Sequence, residues 1–553
     1  MQRQHQGNPL TPEQNHAVDL ALTLPKILRI EAFAGAGKTS TLAAIATALA
    51  FETDGAYSGT YLAFNRSIAN DAQGAFPPTV DARTVHSLAY RAMAPRLNLK
   101  AKLAGRLNGR RVADTLRLGP WAVFSRDALG AMVLDCIERF CNSADDEIQP
   151  KHVPQRAADR IATSFRTNHP MEASIPAEMG QRGVAVQADG SATGPANPED
   201  LAWLQENRDV VSSLVDPSEV VDEARRHIAG LAADLFDRMR TDPHMLITHS
   251  VYLKLWALSR PVLDSEFILF DEAQDANPVM LGLLAHQRCP VIYVGDRYQE
   301  IYGWRGAVNA LEKVGGKACR ITQSFRFGQP IADLASLILN RDLDANVEIQ
   351  GFDPISSRVV TDGFGSTPDA ILGRSNAAVL NELLVLTEQG KRVALVGGAA
   401  QFRWLVESLD HLMQGRPATH PDVADFATWD ELKAFTETES GQDLVAVVRA
   451  VEAYGAARLL QALHRCPESE QDADVVLSTA HKAKGRQWKR VRLLGDFRIR
   501  PDRSEDGRQG PPWSPEESRI TYVAATRGQV EIDISACPEL SLLYRQAGYP
   551  QAA

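Results

Sequence analysis

AFAGAGKTS, residues 32–40, is the stretch from which the fold of this 553-residue chain is read. The apolar Ile27, Leu28 and Ile30 precede it and read as a buried strand. The alanine-rich TLAAIATALA that follows reads as a helix. Strand, glycine loop and helix together form the context of a phosphate-binding P-loop. At Gly35 and Gly37 the missing Cβ lets the backbone come close to phosphate oxygens. Loop amides and the helix N-terminus then present partial positive charge to the anion. In this arrangement Lys38 reaches the β- and γ-phosphates and Thr39 offers its hydroxyl to Mg²⁺. Ala32 stands where the usual pattern has its first glycine. The competing reading is a chance glycine turn before a helix.

Downstream, SEFILFDEAQD (265–275) is a second buried strand, ending in Asp271 and Glu272. Asp271 is placed to hold Mg²⁺, and Glu272 to orient and deprotonate an attacking water. CPVIYVGDRYQEIYGWRGA (289–307) is a third strand with a polar-aromatic loop. There Gln299 is a candidate γ-phosphate sensor, while Tyr302 and Trp304 offer flat faces for base stacking. Two more strand-to-helix junctions carry Phe64, Asn65 and Arg66, then Thr84, His86 and Ser87. Such junctions lie at strand C-terminal ends, where open α/β sheets bind ligands. A second α/β series begins at CRITQSFRFG (319–328), with Phe325 to stack on a base and Arg326 to reach phosphate. It continues through STAHKAKG (478–485), with His481, Lys482 and Lys484, to YVAATRG (522–528), with Arg527 at a helix end.

Before the P-loop, Thr11, Pro12 and Glu13 mark a helix start. Gln14 on that first turn is either plain surface or a reader of adenine edges. Between residues 91 and 111 lie Arg91, Arg96, Lys100, Lys102, Arg106, Arg110 and Arg111, with no acid among them. This run is either a solvated helical face or a set of phosphate contacts.

Composition narrows the class. A hydrophobic share of 44% with 23% charged residues is ordinary globular material, of a length for about three or four domains. No apolar run nears the ~20 residues of a membrane span, and the polar MQRQHQGNPLTPEQ lacks a signal-peptide core. The expectation is an intracellular protein. A net charge of −10 excludes a generally basic coat but not a local basic stripe. The six cysteines are scattered without a C-x₂-C pair, so neither a zinc site nor a disulfide framework is expected.

AFAGAGKTS, TVHS, DEAQD, GDRYQEIYGWRGA, SFRFG, TAHKAKG and YVAATRG stand in the order found in superfamily 1 helicases of the UvrD/Rep/PcrA type, which the chain resembles from Gln14 to Arg527. LAFNRSIA, TQSFRFG, STAHKAKG with Trp488, and LLGDF point within that group to the helicase core of the F-box DNA helicase and its bacterial relatives. The resemblance implies an α/β fold of two RecA-like parallel-sheet domains, each interrupted by a mainly helical insertion. Residues 1–94 and 251–318 would form the first, around a helical insertion at 95–250. Residues 319–400 and 472–553 would form the second, around a short helical insertion at 401–471.

By the same resemblance, ATP and Mg²⁺ are the cofactors. Gln14, Ala34, Gly35, Ala36, Gly37, Lys38, Thr39, Ser40 and Phe325 would bind the nucleotide, with Thr39 and Asp271 on the metal. Lys38, Thr39, Asp271, Glu272, Gln299, Arg326 and Arg527 would run hydrolysis. Phe64, Asn65, His86, Tyr302, Trp304 and His481 would line a single-strand path. The implied activity is a DNA-stimulated ATPase moving 3′ to 5′ on single-stranded DNA and tailed duplex, in repair, recombination or anti-phage defence. The protein would be a cytoplasmic, nucleoid-associated monomer without membrane contact. A nuclease, repair or defence subunit would be its protein partner. The rival reading is an ATP-gated DNA-binding subunit that unwinds little by itself. Arg486 and Gln487 depart from the family, which usually has Leu-Glu there; this puts a carboxylate contact to ribose in doubt.

Overall fold

A computed structural model of the chain describes residues 4–5, 8–63, 66–103, 107–168, 185–186, 192–194, 198–206, 218–303, 308–363, 365–420, 422–424, 426, 428–436, 442–497 and 514–549. These fall into two compact units. One comprises residues 1–91, 259–410 and 446–553, and the other residues 92–258 and 411–445.

The first unit holds two six-stranded sheets. The strands of the first are Ile27–Ala32 (β1), Gly59–Ala63 (β2), Val80–Thr84 (β3), Phe267–Phe270 (β4), Val291–Gly295 (β5) and Lys317–Ile321 (β6). Their order is β6-β1-β5-β4-β2-β3, parallel throughout. The strands of the second are Arg358–Val360 (β7), Ala370–Gly373 (β8), Val393–Leu395 (β9), Val475–Thr479 (β10), Trp488–Leu493 (β11) and Gly528–Asp533 (β12). They run β7-β12-β11-β8-β10-β9, again all parallel. These are the two RecA-like sheets. In β2, β4, β5 and β10 every residue is buried, as expected where helices cover both faces of a parallel sheet.

Four helices carry the site: Pro12–Leu22 (α1), Lys38–Glu52 (α2), Gln329–Asp342 (α3) and Pro515–Ala525 (α4). Thr11 caps α1 in a capping box with Gln14. Ser514 caps α4, with Pro515 in its first turn. Leu28, Ile30, Leu42, Ile45, Phe267 and Ile292 pack in the core of the first sheet. The core of the second gathers Leu372, Leu493, Ile520 and Val523, and it also takes in Phe33, Ala34 and Tyr298 from loops of the first. The two sheets thus share packing around the P-loop.

Cys319, Arg320 and Ile321 do not open the second sheet, as the sequence suggested. They pair with Ile30, Glu31 and Ala32 of β1 as the edge of the first. The chain leaves that sheet only at Thr322, whose amide is held by Glu13 at 2.7 Å.

The second unit is helical at Gly109–Leu116, Arg126–Asn142, Gln155–Asn168, Ser218–Thr241 and Trp429–Thr436. Its boundaries fall at 91/92 and 258/259, outside the expected 95 and 250. It takes only 411–445 of the helical stretch 401–471; the flanks of that stretch belong with the sheets. Two buried lysines terminate helices here. Lys102 donates to the Met239 carbonyl at 2.6 Å, and Lys254 to the Ser143 carbonyl at 2.8 Å. Lys102 is therefore removed from the set of expected phosphate contacts: its ammonium caps a helix C-terminus inside the unit.

Candidate nucleotide site and DNA-facing loops

The P-loop leaves β1 at Phe33 and enters α2 at Lys38. Gly35 and Gly37 take φ of 77° and 70°, a region costly for other residues. Space also decides at Gly35: a Cβ there would lie 2.4 Å from Ser324 Oγ and 2.7 Å from Arg326 Cβ. The Gly35 carbonyl accepts from the Phe325 amide at 2.8 Å. The SFR stretch at 324–326 is thereby laid directly on the P-loop.

Gln14 and Phe325 flank Gly37. A Cβ at that position would be 3.3 Å from Gln14 Nε2 and 3.5 Å from the Phe325 ring. Gln14 is buried; its Oε1 accepts from the Thr11 amide and its Nε2 donates to Thr41 Oγ1, both at 3.1 Å. Phe325 is partly exposed and meets Phe352 edge-on, with ring centroids 5.5 Å apart.

β4 delivers the two acids. Asp271 Oδ2 accepts from Thr39 Oγ1 at 3.1 Å and from Tyr61 Oη at 2.7 Å. Burial and the neighbouring Glu272 push the Asp271 carboxyl above its usual pKa, against the pull of Lys38 and Tyr61. Lys38 Nζ lies 3.2 Å from Glu272 Oε2. Burial works against the Lys38 charge, but Glu272, Asp296 and Asp271 outweigh it and raise its pKa. Burial likewise disfavours the Glu272 carboxylate, yet Lys38, Lys484 and Gln274 hold its pKa down to about 2. Gln274 links this pair to the next strand. It donates to Glu272 at 2.6 Å and accepts from the Asp296 amide at 3.1 Å. Gly295 makes room for that link, since a Cβ there would fall 2.4 Å from Gln274 Oε1.

The loop after β5 places Gln299 with its Nε2 on Asp296 Oδ2 at 2.7 Å. Its Oε1 accepts from Arg527 at 3.3 Å. Arg527 is fully buried at the end of α4, where it also donates to the carbonyls of Val523 and Arg486 and to Thr526 Oγ1. Burial, then the charge of Arg326, brings its pKa down to about 9. Arg326 donates to Gln487 Oε1 at 3.0 Å and to the Thr526 carbonyl at 3.1 Å. Both guanidiniums thus rest on neutral acceptors, and among the described residues neither pairs directly with a carboxylate. Gln487, which departs from the family pattern, is the partner of Arg326.

The residues fit a magnesium nucleotide. Thr39 and Asp271 already converge to hydrogen-bond distance, the donor set is all oxygen as Mg²⁺ prefers, and the left-handed glycines open the loop. Thr39 and Asp271 would hold the ion, and Ala34 through Ser40 the phosphates. Bound Mg²⁺ would supply charge neutralisation at the phosphates.

On the expected DNA side, Phe64, Asn65 and Trp304 lie outside the described residues. His86 lines a cavity of about 10 Å³ together with Asp271, Glu272 and Asp275, room for about one water. Tyr302 is the described one of the two aromatics expected to offer a stacking face. It is half-buried, its hydroxyl donates to the His481 carbonyl at 3.0 Å, and Lys484 Nζ sits 5.0 Å from its ring centroid. Lys484 is buried and pairs with both oxygens of Asp275, at 2.6 and 2.7 Å. Tyr61, Gln274, Asp275, Asp296, Lys484 and Tyr522 thus belong to the site without having been assigned a role from the sequence. Asp296 and Tyr522 stand inside GDRYQ and YVAATRG, a few positions from residues that were.

The family model described as the UvrD/REP helicase N-terminal domain matches residues 10–313. Over 94% of its length the chain is 29% identical to F-box DNA helicase 1 of Gallus gallus, covering 48% of that protein. Over 94% it is 26% identical to F-box DNA helicase protein 1 of Schizosaccharomyces pombe, covering 56%. The chain thus spans about half the length of these curated relatives. Among the described residues no helix is long and apolar enough to cross a membrane. With more than half of the chain matched by the family model, from the α1 cap to the loop before β6, this protein belongs to the UvrD/REP helicase family.

Proposed function

We propose that the protein is an ATP-dependent DNA helicase that moves 3′ to 5′ along single-stranded DNA. The observation that carries this reading is the pair Arg326 and Arg527. Both come from the second-sheet side and both rest on neutral acceptors; Arg326 packs on Gly35 of a P-loop region that gathers Lys38, Thr39, Asp271 and Glu272, and Arg527 meets Gln299 on the loop after β5. Positive charge brought from a second domain stabilises the charge of a transferring phosphoryl group. In the reaction Lys38 would exchange Glu272 for phosphate. Relieved of that cation, the Glu272 carboxylate becomes more basic and takes a proton from the attacking water. Gln299 would report the γ-phosphate to the loop carrying Tyr302 and Trp304. Base stacking on such aromatic faces tolerates any sequence. DNA repair, recombination or anti-phage defence would use this activity, and a nuclease or repair subunit is the partner class to seek.

The test compares ATPase rate with single-stranded DNA, duplex DNA and RNA, then strand displacement on 3′-tailed and 5′-tailed duplexes. Stimulation by single-stranded DNA and displacement of the 3′-tailed substrate are expected. Displacement of the 5′-tailed duplex alone would overturn the polarity. Stimulated ATPase without displacement of either would favour a DNA-binding subunit that needs a partner to unwind.

A further inference from the structure

Tyr522 is completely buried on α4, five residues ahead of Arg527. Its hydroxyl does two things at once. It accepts from the Ala34 amide of the P-loop at 3.0 Å and donates to Asp296 Oδ2 at 2.8 Å. The direction of both bonds is fixed, because an amide N–H only donates and a carboxylate only accepts. The same Asp296 oxygen accepts from Gln299 Nε2, and Gln299 Oε1 in turn accepts from Arg527. From the other side, Asp296 donates its amide to Gln274, which holds Glu272. One phenol oxygen therefore ties together the P-loop, the sensor loop after β5 and the helix that ends in the finger arginine.

This bond is not interchangeable with the surrounding packing. The Arg527 guanidinium bonds to its own helix, to Arg486 and to Gln299, and among the described residues Tyr522 carries the direct hydrogen bond from α4 to the P-loop. We propose that Tyr522 is a positioning residue for ATP hydrolysis. Its hydroxyl sets Gln299 and Arg527 at a fixed distance from the P-loop when the second sheet closes on it. The inference rests on the ATPase reading above. Burial and the Asp296 charge keep the phenol protonated, so the donor is present throughout the working pH range.

The test is Tyr522→Phe, which keeps the ring and removes only the hydroxyl. DNA-stimulated kcat is expected to fall ten- to a hundredfold, as for loss of a hydrogen bond to a charged group. Affinity for a fluorescent ATP analogue should stay within about twofold, and the melting temperature should stay near that of the parent. Asp296→Asn is measured alone and combined with Tyr522→Phe. If Tyr522 acts through Asp296, the double variant is no slower than the slower single one. An unchanged kcat, equal losses of kcat and nucleotide affinity, multiplicative losses in the double variant, or a Tyr522→Phe protein that does not fold would each overturn the proposal. A parent protein without DNA-stimulated turnover would instead overturn the ATPase reading.

Discussion

Glu272 adopts φ 51° and ψ 45°, a left-handed conformation uncommon for a residue with a side chain. Strain of this kind persists where surroundings over-determine a residue, here through Lys38, Gln274 and the turn after β4. Glu272→Gln keeps the shape and removes the base. General base catalysis contributes about 10²–10⁴-fold, so kcat should fall by at least about a hundredfold. The same change releases Lys38 from its ion pair, so nucleotide binding should be equal or tighter, as an equilibrium titration with an ATP analogue would show. Turnover equal to the parent's would remove the base assignment. The residues legible in the sequence at this scale, Lys38, Thr39, Asp271 and Glu272, all belong to short local patterns. Tyr522 was not, because its two partners are an amide 488 positions away and a carboxylate 226 positions away. No local pattern encodes such a meeting. A separation of 161 positions likewise hides the bond of Gln487 to Arg326: the departure from the family motif is visible in the sequence, its partner is not.

At the scale of elements, apolar runs ending in glycines or acids marked β1, β4 and β5 correctly, since a strand buried on both faces has few other compositions. The place of β6 is not legible in the same way, because KACRI is an edge strand, largely exposed, whose pairing with β1 is decided by the sheet rather than by its own residues. The surroundings of Tyr302 are hidden for a related reason: nothing local shows that the loop after β10 brings Lys484 against its ring. That loop supplies a further prediction. Lys484 and Asp275 form an almost fully buried pair, with side chains 8% and 2% exposed. Removing one partner of such a pair costs about 3–5 kcal/mol, because the other charge stays buried and uncompensated, whereas removing both is often near neutral. Lys484→Met should therefore lower stability in a urea titration more than Lys484→Met combined with Asp275→Asn. If the double variant is the less stable of the two, the pair adds net stability beyond its desolvation cost.

At the scale of the whole molecule, a chain of net charge −10 must attract a polyanion through local positive charge. The basic run at 91–111 was legible as composition, but composition does not say which ammonium groups face water. In the structure Lys102 points inward to the Met239 carbonyl, while Arg96, Lys100 and Arg110 are exposed. These four positions separate two roles that the sequence left merged. Each phosphate neutralised by a side chain releases counterions, so log K falls with log salt by about 0.7 per contact on single strands and about 0.9 on duplex. Replacing Arg96, Lys100 and Arg110 together by Ala should flatten the slope on duplex DNA by about 2 to 3 if all three touch phosphate. The melting temperature should stay close to the parent's, since exposed charges contribute little to stability. Lys102→Ala should do the reverse. It leaves the Met239 carbonyl without its donor, lowering the melting temperature, and leaves the salt slope of the folded fraction unchanged. Fluorescence anisotropy from low to moderate salt, beside thermal melts of the same variants, reads both quantities. An unchanged slope in the triple variant would show the run to be a solvated face, and DNA attraction would then have to come from the loops around the P-loop and the second sheet.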